Sequence, residues 1–157
     1  MKRKIKIYAI SILIALAVGG LSALVTGKNM KIYETINQPP LAPPGILFPI
    51  VWTILYILMG ISSARIFMSD TTTEGLKKVA LQDYALNLFF NFAWSIFFFN
   101  FKVFVFSFIW LVILWGIIIK MIYDFYKIDK PAALLQIPYL LWVTFAMYLN
   151  LGIIILN

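Results

Sequence analysis

The sequence predicts an all-α integral membrane protein, a bundle of five transmembrane helices. It contains five apolar segments, each about 19–23 residues long, and a helix of that length crosses a hydrocarbon layer of roughly 30 Å. Hydrophobic residues make up 63% of the chain, whereas soluble domains are about half apolar. Backbone polar groups in lipid must be satisfied within their own segment, which favours helices. The segments cover residues 5–25, 47–67, 81–99, 103–123 and 134–156, and with the long loop at 26–46 they form one domain over residues 1–157.

The composition excludes several classes of function. The chain has no Cys and no His, which excludes disulfides, thiol chemistry, Cys or His metal ligation and histidine acid–base catalysis. We therefore expect no metal site and no required cofactor. The net charge of +7 reflects basic residues at helix ends, so nucleic acid is not an expected partner, and the lipid bilayer is.

The basic residues predict how the chain is oriented. With five spans, the N-terminus and the second and fourth loops share one side of the membrane, and most of the basic residues lie there. The positive-inside rule then places the N-terminus in the cytoplasm and the C-terminus outside, in a bacterial plasma membrane. The first segment resembles a signal peptide, but it is longer than a typical apolar signal core and lacks a clean cleavage site, so we expect it to be retained.

Helix 1 carries a small residue at every fourth position: Ser11, Ala15, Gly19 and Ala23. Such a stripe allows another helix to approach closely. It fits either packing within the chain or a contact in a homodimer, and the sequence leaves both open.

The loop at 26–46 contains four prolines: Pro39, Pro40, Pro43 and Pro44. Proline fixes φ and stiffens the chain, which a simple tether does not need. The loop is therefore either a shaped lid over the outer mouth of the bundle or a stiff connector that separates helix 2 from what precedes it.

Helix 2 begins with Pro49 in its first turn, where the missing N–H costs nothing. Trp52, Tyr56 and Gly60 follow at every fourth position and share a face. Trp52 can belong to the aromatic belt at the membrane interface. Alternatively, it faces the bundle interior as a flat wall for a flat ligand.

Helix 3 carries a polar stripe of Asn87, Asn91 and Ser95. An amide in lipid is costly unless it finds a hydrogen-bond partner, so this stripe must face the interior. The stripe either holds the bundle together by interhelical hydrogen bonds or lines a cavity, and both roles are compatible.

Helix 4 is the least informative span. Its mid-helix aromatic residues, Trp110 and Trp115, have no polar neighbours in the sequence. We interpret them as lipid-facing or packing residues. The charged residues that follow are expected to form a solvated inner loop.

Helix 5 contains Pro138, which predicts a kink and a freed backbone carbonyl. Trp142, Ala146 and Asn150 recur at every fourth position after it. They place an indole ring, a gap beside a small residue, and an amide on one face. That face suits a flat ligand, although ordinary packing around a kinked helix gives the same pattern.

Four motifs in this order resemble the TspO/MBR family of translocator proteins and tryptophan-rich sensory proteins. The first is Pro-Pro-Leu-Ala-Pro-Pro-Gly at residues 39–45, followed by Phe-Pro-x-Val-Trp-Thr-x-Leu-Tyr-x-Leu-Met-Gly at 48–60. The others are Asn-x-x-Trp-Ser-x-x-Phe-Phe at 91–99 and Pro-Tyr-Leu-x-Trp-x-x-Phe-Ala-x-x-Leu-Asn at 138–150. Two positions depart from the family pattern, because Ile32 and Leu41 stand where aromatic residues are usual.

The resemblance implies a five-helix bundle, often a homodimer, whose outward-opening pocket is capped by the loop at 26–46. It also implies that the pocket binds porphyrins such as protoporphyrin IX and other flat hydrophobic molecules. The residues carried over by position as ligand-binding are Tyr33, Pro43, Pro44, Trp52, Tyr56, Asn87, Asn91, Trp94, Ser95, Phe98, Tyr139, Trp142, Ala146 and Asn150.

Three functions are compatible with this resemblance. The first is a membrane receptor for porphyrins. The second is an enzyme that degrades porphyrin with light and oxygen, in which Trp52 and Trp142 match the tryptophans linked to that activity. The third, a porphyrin transporter, is disfavoured because the spans carry no central charge for ion coupling and no detectable inverted repeat.

Overall fold

A computed structural model describes residues 1–70 and 72–157, and all the regular structure in these ranges is helical. The prediction of an all-α protein is therefore confirmed. The helices, in chain order, are α1 Lys2–Thr26, α2 Ile32–Thr35, α3 Leu47–Phe67, α4 Glu74–Ser95, α5 Phe104–Ile128, α6 Lys130–Leu135 and α7 Ile137–Leu156. A π-helical turn, Ile96–Asn100, extends α4.

Four stretches of the described chain are long and apolar enough to cross a membrane: α1, α3, α5 and the pair α6–α7. These four confirm an integral membrane protein. Helix α4 is less apolar than these four, and its first three turns carry the charged residues Glu74, Lys77, Lys78 and Asp83. The five-span count thus remains a prediction at this point.

Four helices extend beyond their predicted ends into polar sequence. Helix α1 begins at Lys2 rather than at residue 5, and α6 begins at Lys130 rather than at residue 134. Helix α4 begins at Glu74 rather than at residue 81, because the Thr73 side chain accepts a hydrogen bond from the Leu76 backbone N–H (3.2 Å) and caps the helix. Helix α5 continues past residue 123 to Ile128, and Lys120 pairs with Asp124 one turn later (2.9 Å). Apolar length predicts where a chain can meet lipid, whereas capping and charge pairs decide where its helices end.

The fifth predicted segment is interrupted, but not in the manner expected. The break lies at Gln136, between α6 and α7, and Pro138 sits in the first turn of α7 rather than kinking a continuous helix. The missing N–H of proline costs nothing in a first turn. The Gln136 backbone N–H instead bonds the Ala133 carbonyl (3.1 Å) and closes α6.

Small residues bring α1 and α3 into close contact. A Cβ added to Gly60 of α3 would lie 2.5 Å from the Ile12 Cα of α1, and one added to Gly19 would lie 2.4 Å from the Tyr56 ring. Ala15 is fully buried in the core. Between the two interpretations left open for the helix 1 stripe, these contacts favour packing within the chain, and homodimerisation remains a prediction.

The two ends of the bundle are held by polar contacts of different kinds. At one end, here called the basic end, the Arg65 guanidinium donates to both carboxylate oxygens of Asp129 (2.6 and 3.3 Å). At the opposite end, the Asn100 side chain accepts from Asn29 (2.8 Å) and donates to the Val25 carbonyl (3.2 Å). Helices α3 and α5 therefore end at the basic end, whereas α1 and the π turn that extends α4 end at the opposite end.

Candidate functional site

A cavity of about 480 Å³ lies between α1, α3, α4 and α7, under the loop that joins α1 to α3. Its volume falls within the range of small-molecule sites, about 300–1,000 Å³. Ten of the fourteen predicted ligand-binding residues lie on its surface: Tyr33, Trp52, Tyr56, Asn91, Trp94, Ser95, Phe98, Trp142, Ala146 and Asn150.

Aromatic rings that contact one another form the walls of the cavity. Near the loop, the Tyr33 ring meets Phe48 edge-on (4.9 Å between centroids), and Phe48 meets Trp142 in the same way (5.7 Å). On α4, Trp94 stacks on Phe98 at 5.1 Å. Rings held in this way offer a flat ligand rigid apolar surfaces at little entropic cost.

Two of the five indole N–H groups remain available for a ligand. Three tryptophans donate to acceptors within the protein: Trp94 to Asn150 (3.2 Å), Trp110 to the Phe90 carbonyl (2.9 Å) and Trp115 to Thr144 (2.9 Å). Among the described residues, neither Trp52 nor Trp142 has a hydrogen-bond acceptor for its N–H, and both line the cavity. Indole N–H groups usually find a partner when they leave water, so these two can serve an acceptor on a ligand.

The tryptophans of α5 also correct part of the sequence interpretation. Trp110 and Trp115 have no polar neighbours in the sequence, yet each makes a hydrogen bond to a neighbouring helix. Trp110 also stacks on Phe90 at 4.1 Å, so it is a packing residue, as one of the two interpretations held.

A chain of hydrogen bonds, here called the floor network, closes the bottom of the cavity. Tyr56 donates to the Asn91 side-chain oxygen (2.7 Å), and Asn91 donates to the Tyr139 hydroxyl (2.8 Å). Tyr139 donates in turn to Asn87 (2.7 Å), whose amide donates to the Tyr84 backbone carbonyl (2.7 Å). Every amide in this chain finds a partner, which removes the cost of burying it in an apolar bundle, and the network ties α3, α4 and α7 together.

Charge is confined to the mouth of the cavity, where Lys31 and Glu34 are the charged residues on the described lining. Tyr33 lies beside them, and burial raises the pKa of its hydroxyl above the ordinary value. The hydroxyl therefore stays protonated and donates to the Pro43 carbonyl (2.9 Å). The interior of the cavity is neutral and mostly apolar, as suits a hydrophobic ligand.

The TspO/MBR family model matches residues 11–156. The chain belongs to the TspO/MBR family. Among its relatives, the tryptophan-rich protein TspO of Chlorobaculum tepidum is 38% identical, over 100% of this chain and 99% of that protein. The tryptophan-rich sensory protein of Cereibacter sphaeroides is 32% identical over 80% of this chain and 76% of its own length. The translocator protein of Ovis aries is 30% identical over 80% and 75%. Membership of the TspO/MBR family, together with the apolar helices, supports a binding or sensory role in a membrane.

Four residues carried over from the TspO/MBR pattern lie off the cavity surface. Asn87 and Tyr139 are buried beneath it, because they are the lower members of the floor network. Pro43 contributes its carbonyl to Tyr33 from outside the lining, and Pro44 lies exposed in the loop. The helical stripe therefore identifies the correct face of α4, but only Asn91 and Ser95 of that stripe reach the cavity.

Helix α1 contributes residues that the TspO/MBR motifs did not identify. It lines the cavity with Leu16, Gly19, Gly20, Ser22 and Ala23. The Ser22 hydroxyl lies 2.7 Å from that of Ser95, and this bond fixes α1 against α4. The small-residue stripe was the available signal, although small residues say nothing about which ligand they admit.

The loop over the cavity of this TspO/MBR protein is fastened to α7. The Asn37 backbone N–H donates to the Asn157 side chain (3.1 Å), and the Tyr148 hydroxyl donates to the Pro40 carbonyl. A Cβ on Gly152 would lie 2.5 Å from the Pro39 ring, so α7 presents bare backbone to a proline of the loop. These contacts favour the lid over the simple connector.

Proposed function

We propose that this protein is a membrane receptor that binds porphyrins and other flat hydrophobic molecules in the cavity. The observation that carries the proposal is the pair of cavity tryptophans, Trp52 and Trp142, whose indole N–H groups have no acceptor among the described residues. A porphyrin combines a flat aromatic face, which stacks on such rings, with carboxylates, which accept from N–H donors.

The neighbours of these indoles support the same ligand class. Ala146 lies one helical turn from Trp142 on the cavity surface and leaves a gap beside the ring. Asn91 and Tyr56, at the floor, fix the depth to which a ligand can enter because their polar groups bond each other. A slot between rings, bounded below by a rigid polar floor, selects for planar molecules.

The proposal includes five spans, with α4 and its π turn as the fifth. Lys77, in the second turn of α4, donates to the Phe67 carbonyl at the basic end (3.0 Å). Asn100, the last residue of the π turn, bonds Asn29 at the opposite end (2.8 Å). This helix therefore runs the length of the bundle, and its polar stripe is sheltered by the floor network. The basic end then faces the cytoplasm by the positive-inside rule.

A porphyrin titration of the purified protein in the dark tests the proposal. Protoporphyrin IX should quench the intrinsic tryptophan fluorescence saturably, because both indoles lie on the cavity surface. Trp52→Phe and Trp142→Phe should weaken binding, whereas Trp115→Phe, which loses an indole bonded elsewhere, should not. Linear, non-saturable quenching in the native protein would refute porphyrin binding in the cavity.

The placement of both indoles on the cavity surface also supports a second candidate, light-dependent porphyrin breakdown. The same titration under illumination separates the two. A receptor keeps the porphyrin Soret band stable, whereas an enzyme causes a protein-dependent loss of the band in light and oxygen. That loss should disappear in the double variant of Trp52→Phe and Trp142→Phe, once porphyrin is added at concentrations that restore occupancy.

A further inference from the structure

The polar groups deep in the cavity are already bonded to one another. The Asn91 side chain donates to the Tyr139 hydroxyl (2.8 Å) and accepts from the Tyr56 hydroxyl (2.7 Å). The Asn150 side-chain oxygen accepts from the Trp94 indole (3.2 Å). Among the described lining residues, none of those inside the cavity is charged. A carboxylate that entered this region would lose its water and find no cation to balance it, which is costly.

Lys31 is the cation on the described lining, and it lies at the mouth of the cavity, in the loop that covers it. The residue is exposed, and its ammonium group makes no ion pair with the carboxylates of the described chain. Lys28 and Lys102 belong to the same end of the bundle but lie off the lining. Lys31 is thus the lysine placed to meet a ligand held in the cavity.

Glu34 is the other charged residue on the lining, and it follows Lys31 by three residues. The two side chains form no ion pair with each other, so both charges are free to act on a ligand. They act with opposite signs, because Lys31 attracts a carboxylate and Glu34 repels it. Both residues are exposed, so Glu34 can turn into water while Lys31 turns towards a bound carboxylate.

We propose that Lys31 binds a carboxylate of the ligand and so orients a planar dicarboxylate, with its ring inside the cavity and its charged edge at the mouth. Both propionate groups of protoporphyrin IX stand on one edge of its ring, so a single orientation suits the whole molecule. The apolar edge packs between the aromatic walls, and the charged edge stays with water and the Lys31 ammonium. Trp142, whose ring lies near the loop against Phe48 (5.7 Å), offers its indole N–H on the same side. This inference rests on the proposed function and adds the charge and orientation of the ligand to it.

Protoporphyrin IX and its dimethyl ester test this orientation, because they share the ring and differ in charge. Each variant is compared with the native protein for the same porphyrin, by tryptophan fluorescence in the dark and in uncharged detergent, so that differences in porphyrin solubility cancel. Lys31→Met should weaken binding of the diacid about fivefold, the size of one partly exposed charge pair, and leave binding of the diester unchanged. Lys31→Arg keeps the charge and should bind both porphyrins as the native protein does. Lys28→Met, which removes a lysine of the same end that lies off the lining, is the matched control.

The outcomes separate this inference from the proposed function. If Lys31→Met binds the diacid as tightly as the native protein, or loses both porphyrins equally, the role of Lys31 is overturned while porphyrin binding stands. An equal loss of diacid binding in Lys28→Met would overturn it too, because the effect would then come from the general charge of that end. Absence of saturable diacid binding to the native protein would refute the proposed function and this inference with it.

Discussion

Tyr139→Phe removes one oxygen atom from the centre of the floor network. The Tyr139 hydroxyl accepts from Asn91 (2.8 Å) and donates to Asn87 (2.7 Å), and its side chain is 1% exposed. The phenyl ring fills the same space, so the substitution leaves packing intact. It leaves one amide without an acceptor and the other without a donor, in a region that water reaches poorly.

The loss of folding free energy in Tyr139→Phe can be estimated from these two hydrogen bonds. Hydrogen bonds between membrane helices average about 0.6 kcal/mol each and reach about 1.7 kcal/mol, so two bonds are worth roughly 1–3 kcal/mol. A loss of about 2 kcal/mol lowers the unfolding midpoint of a protein of this size by about 4–8 °C. Because Asn91 also lines the cavity, loosening its amide should weaken ligand binding as well.

Thermal unfolding in detergent, followed by circular dichroism, measures the change. Tyr123→Phe is the matched control, because Tyr123 is 62% exposed and its hydroxyl bonds nothing among the described residues. We expect Tyr139→Phe to unfold several degrees below the control. Equal midpoints for the two variants would show that the floor network does not hold the bundle together.

Three further substitutions have defined outcomes. Gly60→Ala should destabilise the protein by about 1–3 kcal/mol, since its Cβ meets the α1 backbone at 2.5 Å. Gly116→Ala, with open space around it, should leave the midpoint unchanged in the same thermal unfolding measurement. Trp142→Phe should weaken porphyrin binding about tenfold through one lost hydrogen bond, while Trp115→Phe should bind normally by fluorescence. Ala146→Phe should fill the gap beside Trp142 and abolish porphyrin binding without lowering the unfolding midpoint. Binding at wild-type affinity would show that α7 does not line the binding site.

Helical periodicity predicts which face of a helix is functional, but not at what depth each residue sits. The stripe through Asn87 and Asn91 lies on the interior face, as expected, yet only Asn91 reaches the cavity while Asn87 is buried beneath it. Whether a residue of the stripe reaches the cavity depends on what the other helices place beside it, and here the Tyr139 hydroxyl of α7 bonds both amides. No local pattern in the sequence encodes a contact between residues about fifty positions apart.

Two other features lay beyond sequence reasoning for different physical reasons. Gly19 and Gly20 line the cavity by leaving space, and the small-residue stripe that includes Gly19 predicts close packing but not a cavity wall. The break at Gln136 depends on how α6 packs, where the Ser62 hydroxyl of α3 donates to the Ala132 carbonyl (2.7 Å). By contrast, α3 begins and ends as predicted, because its apolar run is bounded sharply on both sides.

The close contact between Gly60 and Ile12 also makes the width of the cavity depend on the tilt of α1. Beyond this crossing point Gly19 also meets the Tyr56 ring. The outer half of α1 forms one wall of the cavity, and the bond between Ser22 and Ser95 holds it to α4. Ala23 lies eleven residues from Ile12, about 16 Å along the axis, so a tilt of about 5° around the crossing displaces it by about 1.4 Å. A displacement of that size is a substantial part of the thickness of an aromatic ring, so the bond between Ser22 and Ser95 (2.7 Å) holds the cavity at its width.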